Sequence, residues 1–497
     1  MHKSIKNLGE LKKSGYQSRS IKEELRENLI LKIKSNEPIF QGIIGFEDTV
    51  IPDVERAILS KHHINLLGLR GQAKTRIARQ FISLLDEYIP VIQGSEINDD
   101  PLNPISNYAK QLIEEFGDNT PIAWLHRNER YVEKLATPDV SVADLIGDVD
   151  PIKAANLKLS YADERVIHFG MIPRSHRCIF VINELPDLQA RIQVALFNIL
   201  QEGDIQIRGF KLRLNLDIEF IFTANPEDYT SRGSMITPLK DRIGSQILTH
   251  YPKNIELSRQ ITLQEASLSE NQKLQVEAGE LVSILIEKLA SEARESEYVD
   301  AKSGVSARLT ISAYENLVSA AERRMLRNQE ASTYARMSDL FGIIPAVNGK
   351  IELVYEGEQE GAAMVALSLL GKAIRNHFIQ LYPDPGKLKK KKEKSPYEQI
   401  QLWFGQGNSV DLLFSDTEDA YQSKLKAVVG LEDLVNKYYP DLTPTNHAVM
   451  MEFVLYGLAE HSLLGKQIIE RGMQFKDLFG SMLSDSNLFD ETDQLDN

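Results

Sequence analysis

Residues 68–75 read Gly-Leu-Arg-Gly-Gln-Ala-Lys-Thr, and they constrain this chain more than any other stretch. Ile64, Asn65, Leu66 and Leu67 come just before, a short apolar run that reads as a buried strand. Just after, Ile77, Phe81 and Leu84 recur at helical spacing. Strand, glycine loop and helix in that order form the context that a phosphate-binding loop requires. Loop N–H groups and the helix N-terminus then point at an anion. In this reading Gly68, Leu69, Arg70, Gly71, Gln72, Ala73, Lys74, Thr75 and Arg76 surround the phosphates of a nucleotide. Lys74 reaches the β- and γ-phosphates, and the Thr75 hydroxyl ligates magnesium. One position departs from Gly-x-x-x-x-Gly-Lys-Ser/Thr: Ala73 stands where the second glycine belongs. Alanine is tolerated there if its φ stays negative. The alternative is an ordinary glycine turn that opens a helix.

The 497 residues suffice for roughly two to four domains with full cores. A net charge of −14 argues against a dedicated nucleic-acid binder. Cys178 is the sole cysteine, which excludes an internal disulfide and multi-cysteine zinc sites and fits a reducing cytoplasm. The polar N-terminus has no apolar core of signal-peptide length. No stretch approaches the roughly 18 apolar residues that span a membrane.

In chain order, residues 21–31 carry the stripe of an N-terminal helix. Ile43-Ile44-Gly45-Phe46 follows as an apolar turn, either packing Ile44 and Gly45 on an adenine or closing the start of a domain core. Residues 50–60 read as a helix, 91–97 as a second strand, 105–117 as a weak helix, 122–125 as an apolar run and 127–133 as a charged segment. Ser141 caps a helical turn that ends at Gly147. The second strong signal is residues 177–185, a central strand that ends in Asn183-Glu184. A phosphate-loop ATPase places two acids here, one holding magnesium through water and one polarising the attacking water. Asn183 still accepts a hydrogen bond from a metal-bound water but brings no charge, so magnesium affinity falls. Glu184 keeps the chemistry of a general base. Residues 193–201 form an amphipathic helix, and 203–214 alternate as a hairpin. Residues 219–226 form a buried strand closing on Asn225, which can bond the γ-phosphate or the lytic water. Arg242 follows on a short helix; an arginine from a neighbouring subunit stabilises transferred charge, whereas Arg242 taken alone reads as a surface ion-pair residue.

Together these parts resemble the AAA+ ATPases, and among them the branch holding MoxR proteins and the ATPase subunit of magnesium chelatase. The resemblance covers roughly residues 38–330. Residues 68–75 resemble Walker A, and 179–184 resemble Walker B with its aspartate replaced. Thr223-Ala224-Asn225-Pro226 is similar to sensor 1, and Leu239-Lys240-Asp241-Arg242 to the arginine-finger segment. Gly304-Val305-Ser306-Ala307-Arg308 is similar to sensor 2. Residues 150–176 fall at the family's helix-2 insert and 203–214 at its pre-sensor-1 hairpin. The resemblance implies an α/β fold: a three-layer α/β/α P-loop NTPase core with a helical lid, here followed by a C-terminal α+β extension. It implies ATP and magnesium as cofactors, with Thr75, Asn183 and Glu184 at the metal. Glu184, Asn225, Arg242 and Arg308 would act on the reacting phosphate, Arg242 in the site of the next subunit. It also implies a homo-oligomeric ring, usually a hexamer, and a partner protein, often one with a von Willebrand factor A domain. Ala73 and Asn183 put fast turnover in question.

The expected organisation is an N-terminal helical segment (1–37), the nucleotide-binding domain (38–255), the lid (256–345), a C-terminal α+β domain (346–483) and an acidic tail (484–497). Helical periods are clearest at 281–293 and 309–325. Residues 349–357 read as a strand and 360–381 as a helix. The lysines at 387–394 read as a solvated linker in preference to a patch for an acidic partner or nucleic acid. Beyond them, 399–404 and 409–414 read as strands, and 420–428, 431–438, 447–461 and 464–470 as helices. His447 and His461 lack metal-ligand spacing. Function divides between an ATP-driven remodelling motor and a nucleotide-dependent assembly scaffold with little hydrolysis. Transcription activation and magnesium chelation rank below both.

Overall fold

The computed structural model describes residues 4–159, 164–202, 204–206, 213–225, 235–391 and 393–478. The acidic tail, the tip of the 203–214 hairpin, Pro226 and Lys392 lie outside the described residues. The chain divides into two compact units, Met1–Tyr251 and Pro252–Asn497.

The first unit is built on a five-stranded parallel sheet. Its strands are β1 (Ile64–Leu67), β2 (Tyr131–Leu135), β3 (Cys178–Asn183), β4 (Ile218–Ala224) and β5 (Ser245–Leu248), in the spatial order β5-β1-β4-β3-β2. The inner strands β3 and β4 are buried throughout, because a parallel sheet covered on both faces needs apolar side chains on both. Alternate residues divide between two cores. Ile64, Leu66, Ile179, Val181 and Ile221 face helices α1 (Ile21–Ser35), α2 (Val50–Leu59) and α3 (Lys74–Gln80). Phe180, Ile182, Phe220 and Phe222 face α4 (Ala190–Glu202) and α5 (Thr237–Arg242). Three layers result. The lone thiol, Cys178, is buried at the base of β3, and desolvation pushes it up to about 12, so it stays protonated.

The N-terminal helix belongs to this unit's core. Ser20 and Glu23 close a capping box around the start of α1, and Ile21, Leu25 and Leu29 are buried. Glu24, on the same helix, makes a two-pronged ion pair with Arg130, at 2.7 and 2.6 Å. The charged segment at 127–133 runs into edge strand β2, whose burial does not alternate along its length, so it carries no strand period to read from composition. The strand expected near 91–97 is Tyr88–Ile92; it pairs antiparallel with Ile122–His126 outside the main sheet. The base of the 203–214 hairpin is present, with Asp204–Gln206 paired to Arg213–Asn215.

In the second unit one hydrophobic core runs through α6 (Glu280–Glu295), α7 (Arg308–Asn328), α8 (Ala362–Leu381) and α9 (Pro444–Glu460), so packing continues past residue 345. Residues 399–404 form a helix, Glu398–Gly405, not a strand: only Ile400 and Phe404 are buried, four residues apart, while Leu402 is exposed. Residues 464–470 form a strand, Gly465–Ile469, not a helix, because it folds back antiparallel on Gly472–Lys476. Residues 349–357 contribute only an isolated bridge, Val299 with Leu353, before a short helix begins at Tyr355. The lysine run starts as a helix, Pro385–Lys391. No helix among the described residues is long and apolar enough to cross a membrane.

Candidate functional site

The loop that leaves β1 turns at Gly71, whose φ is +75°. Gly68 is fixed by crowding: a Cβ there would lie 1.9 Å from Thr249 Oγ1 and 2.2 Å from Gln72 Oε1. Thr249, just beyond β5, donates through its hydroxyl to Gln72 Oε1 at 2.8 Å and through its N–H to Leu67 O at 2.7 Å. Gln72 is therefore buried as a strut beneath the loop. Tyr251 donates its hydroxyl to Arg70 O at 3.2 Å. Lys74 is buried, its ammonium donating to Gly68 O and, at 3.0 Å, to Leu69 O. The loop thus wraps a cation, with Leu69, Arg70 and Gly71 on its rim and Arg76 half-buried in the first turn of α3. These residues suit a polyphosphate.

Ala73 does not keep a negative φ. It sits at φ 54° and ψ 13°, in the left-handed region. The loop demands the glycine conformation, and alanine adopts it against a steric cost of about 1–2 kcal/mol. Ala73→Gly is therefore expected to stabilise this unit by about 1 kcal/mol, partly offset by the freer unfolded chain. A raised denaturation midpoint with an unchanged slope checks this; a lowered midpoint refutes it.

Asn183 ends β3 beside the loop. Its Oδ1 accepts from Thr223 Oγ1 at 3.0 Å and from Thr75 Oγ1 at 3.4 Å, and its Nδ2 donates to Glu133 Oε1 at 2.7 Å. Thr223 in turn accepts the Glu184 N–H at 3.2 Å. Glu184 is half-buried in the left-handed region at φ 55° and ψ 50°, an unusual state for a long side chain. Asn225 follows β4, is buried, and stands next to Ala224, whose carbonyl accepts the Gly68 N–H at 3.1 Å. Lys74, Thr75, Asn183, Glu184 and Asn225 thus come together at the carboxyl ends of β1, β3 and β4, where open α/β sheets bind ligands.

Ile44 and Gly45 sit half-buried in the turn before α2; nearby Thr49 bonds His250 at 2.8 Å, and Phe46 meets the same ring edge-on. Arg242 closes α5, partly exposed beside Asp241 and over the Phe197 ring at 5.8 Å. Arg308 opens α7 in the second unit, with its side chain exposed. Sequence reasoning included Thr223 in the sensor-1-like motif but gave it no role, and it missed Glu133 and Thr249, which reach the site by strand pairing alone.

No family model matches the chain. Solved structures to which it is similar include NtrX from Brucella abortus, 14% identical over 70% of this chain and 66% of that one, with a TM-score of 0.38. A RuvB variant from Thermotoga maritima is 13% identical over 77% and 95%, with a TM-score of 0.33. A BchI–BchD complex of magnesium chelatase matches at 16% over 65% and 98%, also with a TM-score of 0.33. Likenesses at such scores decide nothing by themselves. The sheet order, the loop after β1 and the polar tips of β3 and β4 make the Met1–Tyr251 unit an α/β P-loop NTPase core.

Proposed function

We propose that the first unit binds ATP with magnesium and hydrolyses it as one subunit of an AAA+ ring, and that turnover remodels or activates a partner protein. One observation supports this above the others: a continuous hydrogen-bond chain joins Thr75, Asn183, Thr223 and the Glu184 N–H at the carboxyl ends of the strands, beside the loop that holds Lys74. Lys74 would exchange its carbonyl partners for the β- and γ-phosphate oxygens. Thr75 and Asn183 would hold magnesium, which when bound neutralises charge on those oxygens. Glu184 takes the proton of the attacking water, and Asn225 orients that water. Ile44 and Gly45 would meet the adenine. Arg242 serves the neighbouring subunit's nucleotide across a closed heterologous interface, and its partial exposure suits that role. The role of Arg308, the hexamer and a von Willebrand factor A-domain partner rest on the resemblance alone.

A nucleotide-dependent scaffold is the second reading, favoured by the neutral Asn183. Phosphate release from the wild type and from Glu184→Gln separates the two. A motor loses about 100-fold or more in rate while retaining ATP binding. A wild type that binds ATP and shifts to a ring-sized species without releasing phosphate, partner present or absent, is a scaffold.

A further inference from the structure

We infer that Glu133 is a positioning residue for the magnesium site, which holds the Asn183 amide with its oxygen toward Thr75. The inference rests on the ATP–magnesium reading above. A carboxylate at position 183 would present an acceptor whichever way it turned, but an amide has one accepting and one donating end. A metal-bound water points its hydrogens outward, so the end facing the metal must accept. Three groups contact the amide. Thr75 and Thr223 are hydroxyls, which donate or accept by rotating, and neither distinguishes the two amide orientations. Glu133 does distinguish them, because an ionised carboxylate only accepts, so the atom 2.7 Å from it must be the nitrogen.

Glu133 is itself held. Arg79, one helical turn beyond Thr75 on α3, donates to it through Nε at 3.0 Å and through a second guanidinium nitrogen at 3.2 Å. The Tyr131 hydroxyl adds a longer bond at 3.3 Å. The hydrogen bonds to Glu133 in return raise the pKa of Arg79. The chain therefore meets an asparagine at a metal-facing position with an acceptor on the adjacent strand that locks its orientation. Partners of this indirect kind commonly control metal affinity as strongly as some direct ligands.

The test is ADP affinity of the full-length protein by calorimetry, in excess magnesium and in EDTA, with the ratio of the two constants as the readout. Glu133→Gln frees the amide to turn over. It is expected to reduce the magnesium enhancement about tenfold while leaving the EDTA affinity unchanged. Adding Asn183→Asp restores the enhancement to the wild-type level or above, because both aspartate oxygens accept and the amide introduced by Glu133→Gln can donate across the same bond. An unchanged ratio in Glu133→Gln, or a reduced ratio that Asn183→Asp does not recover, overturns the inference. A wild type that binds ADP in neither buffer overturns the nucleotide reading itself, and this inference with it.

Discussion

Replacing Lys74 with alanine is expected to weaken ATP and ADP binding about 100-fold while leaving adenosine binding little changed. The ammonium is the loop's one buried cation among the described residues that contacts its own carbonyls, at Gly68 and Leu69. A charge-assisted bond is worth about 1.5–3 kcal/mol, and two phosphates share this one group, so a factor near 100 follows. Lys74→Arg should not rescue the loss, because a planar fork cannot take the place of a compact ammonium inside a narrow arch. Titration with a fluorescent ATP analogue measures both variants. Affinity within threefold of wild type for Lys74→Ala would mean that the loop is an ordinary turn and that the phosphate reading is wrong.

The second large effect concerns stability. Glu24 and Arg130 are almost fully buried, with side-chain exposures of 5% and 1%. Arg130 also donates through Nε to Arg177 O at 3.0 Å, and Glu24 accepts the Asp86 N–H at 2.7 Å. Removing either partner strands a charge in the core, and Glu24→Ala or Arg130→Ala should each cost the first unit about 3–5 kcal/mol. The double variant Glu24→Leu with Arg130→Met leaves no charge behind and should lose much less than either single change. Calorimetric melting checks this, following the transition that ATP shifts upward. Single-variant losses under about 1 kcal/mol would show that water reaches the pair and screens it. The N-terminal helix would then be a loosely attached segment.

The elements legible in the sequence were those whose signal is local. The strand–loop–helix around Lys74 was visible because buried parallel strands are near-continuous apolar runs and the helix repeats every three to four residues. The Asn183-Glu184 pair and Asn225 were visible for the same reason, since each ends such a run. Two strands and a helix of the second unit were misjudged where runs were short. At 399–404 and 464–470 the same apolar residues suit either period, and only the burial of Ile400 with Phe404, or pairing with Gly472–Lys476, selects one.

What the sequence alone determined was which polar and charged groups the chain carries and their order along it. Tertiary structure alone decided the backbone state and the neighbours of those groups. Ala73 is left-handed because the loop must close onto α3, a constraint that eight residues in isolation do not carry. Glu133 meets Asn183, and Thr249 meets Gln72, because β2 pairs with β3 and β5 with β1. Partners 50 and 177 residues apart are brought within a hydrogen bond by sheet order, a property of the assembled fold that no local pattern encodes.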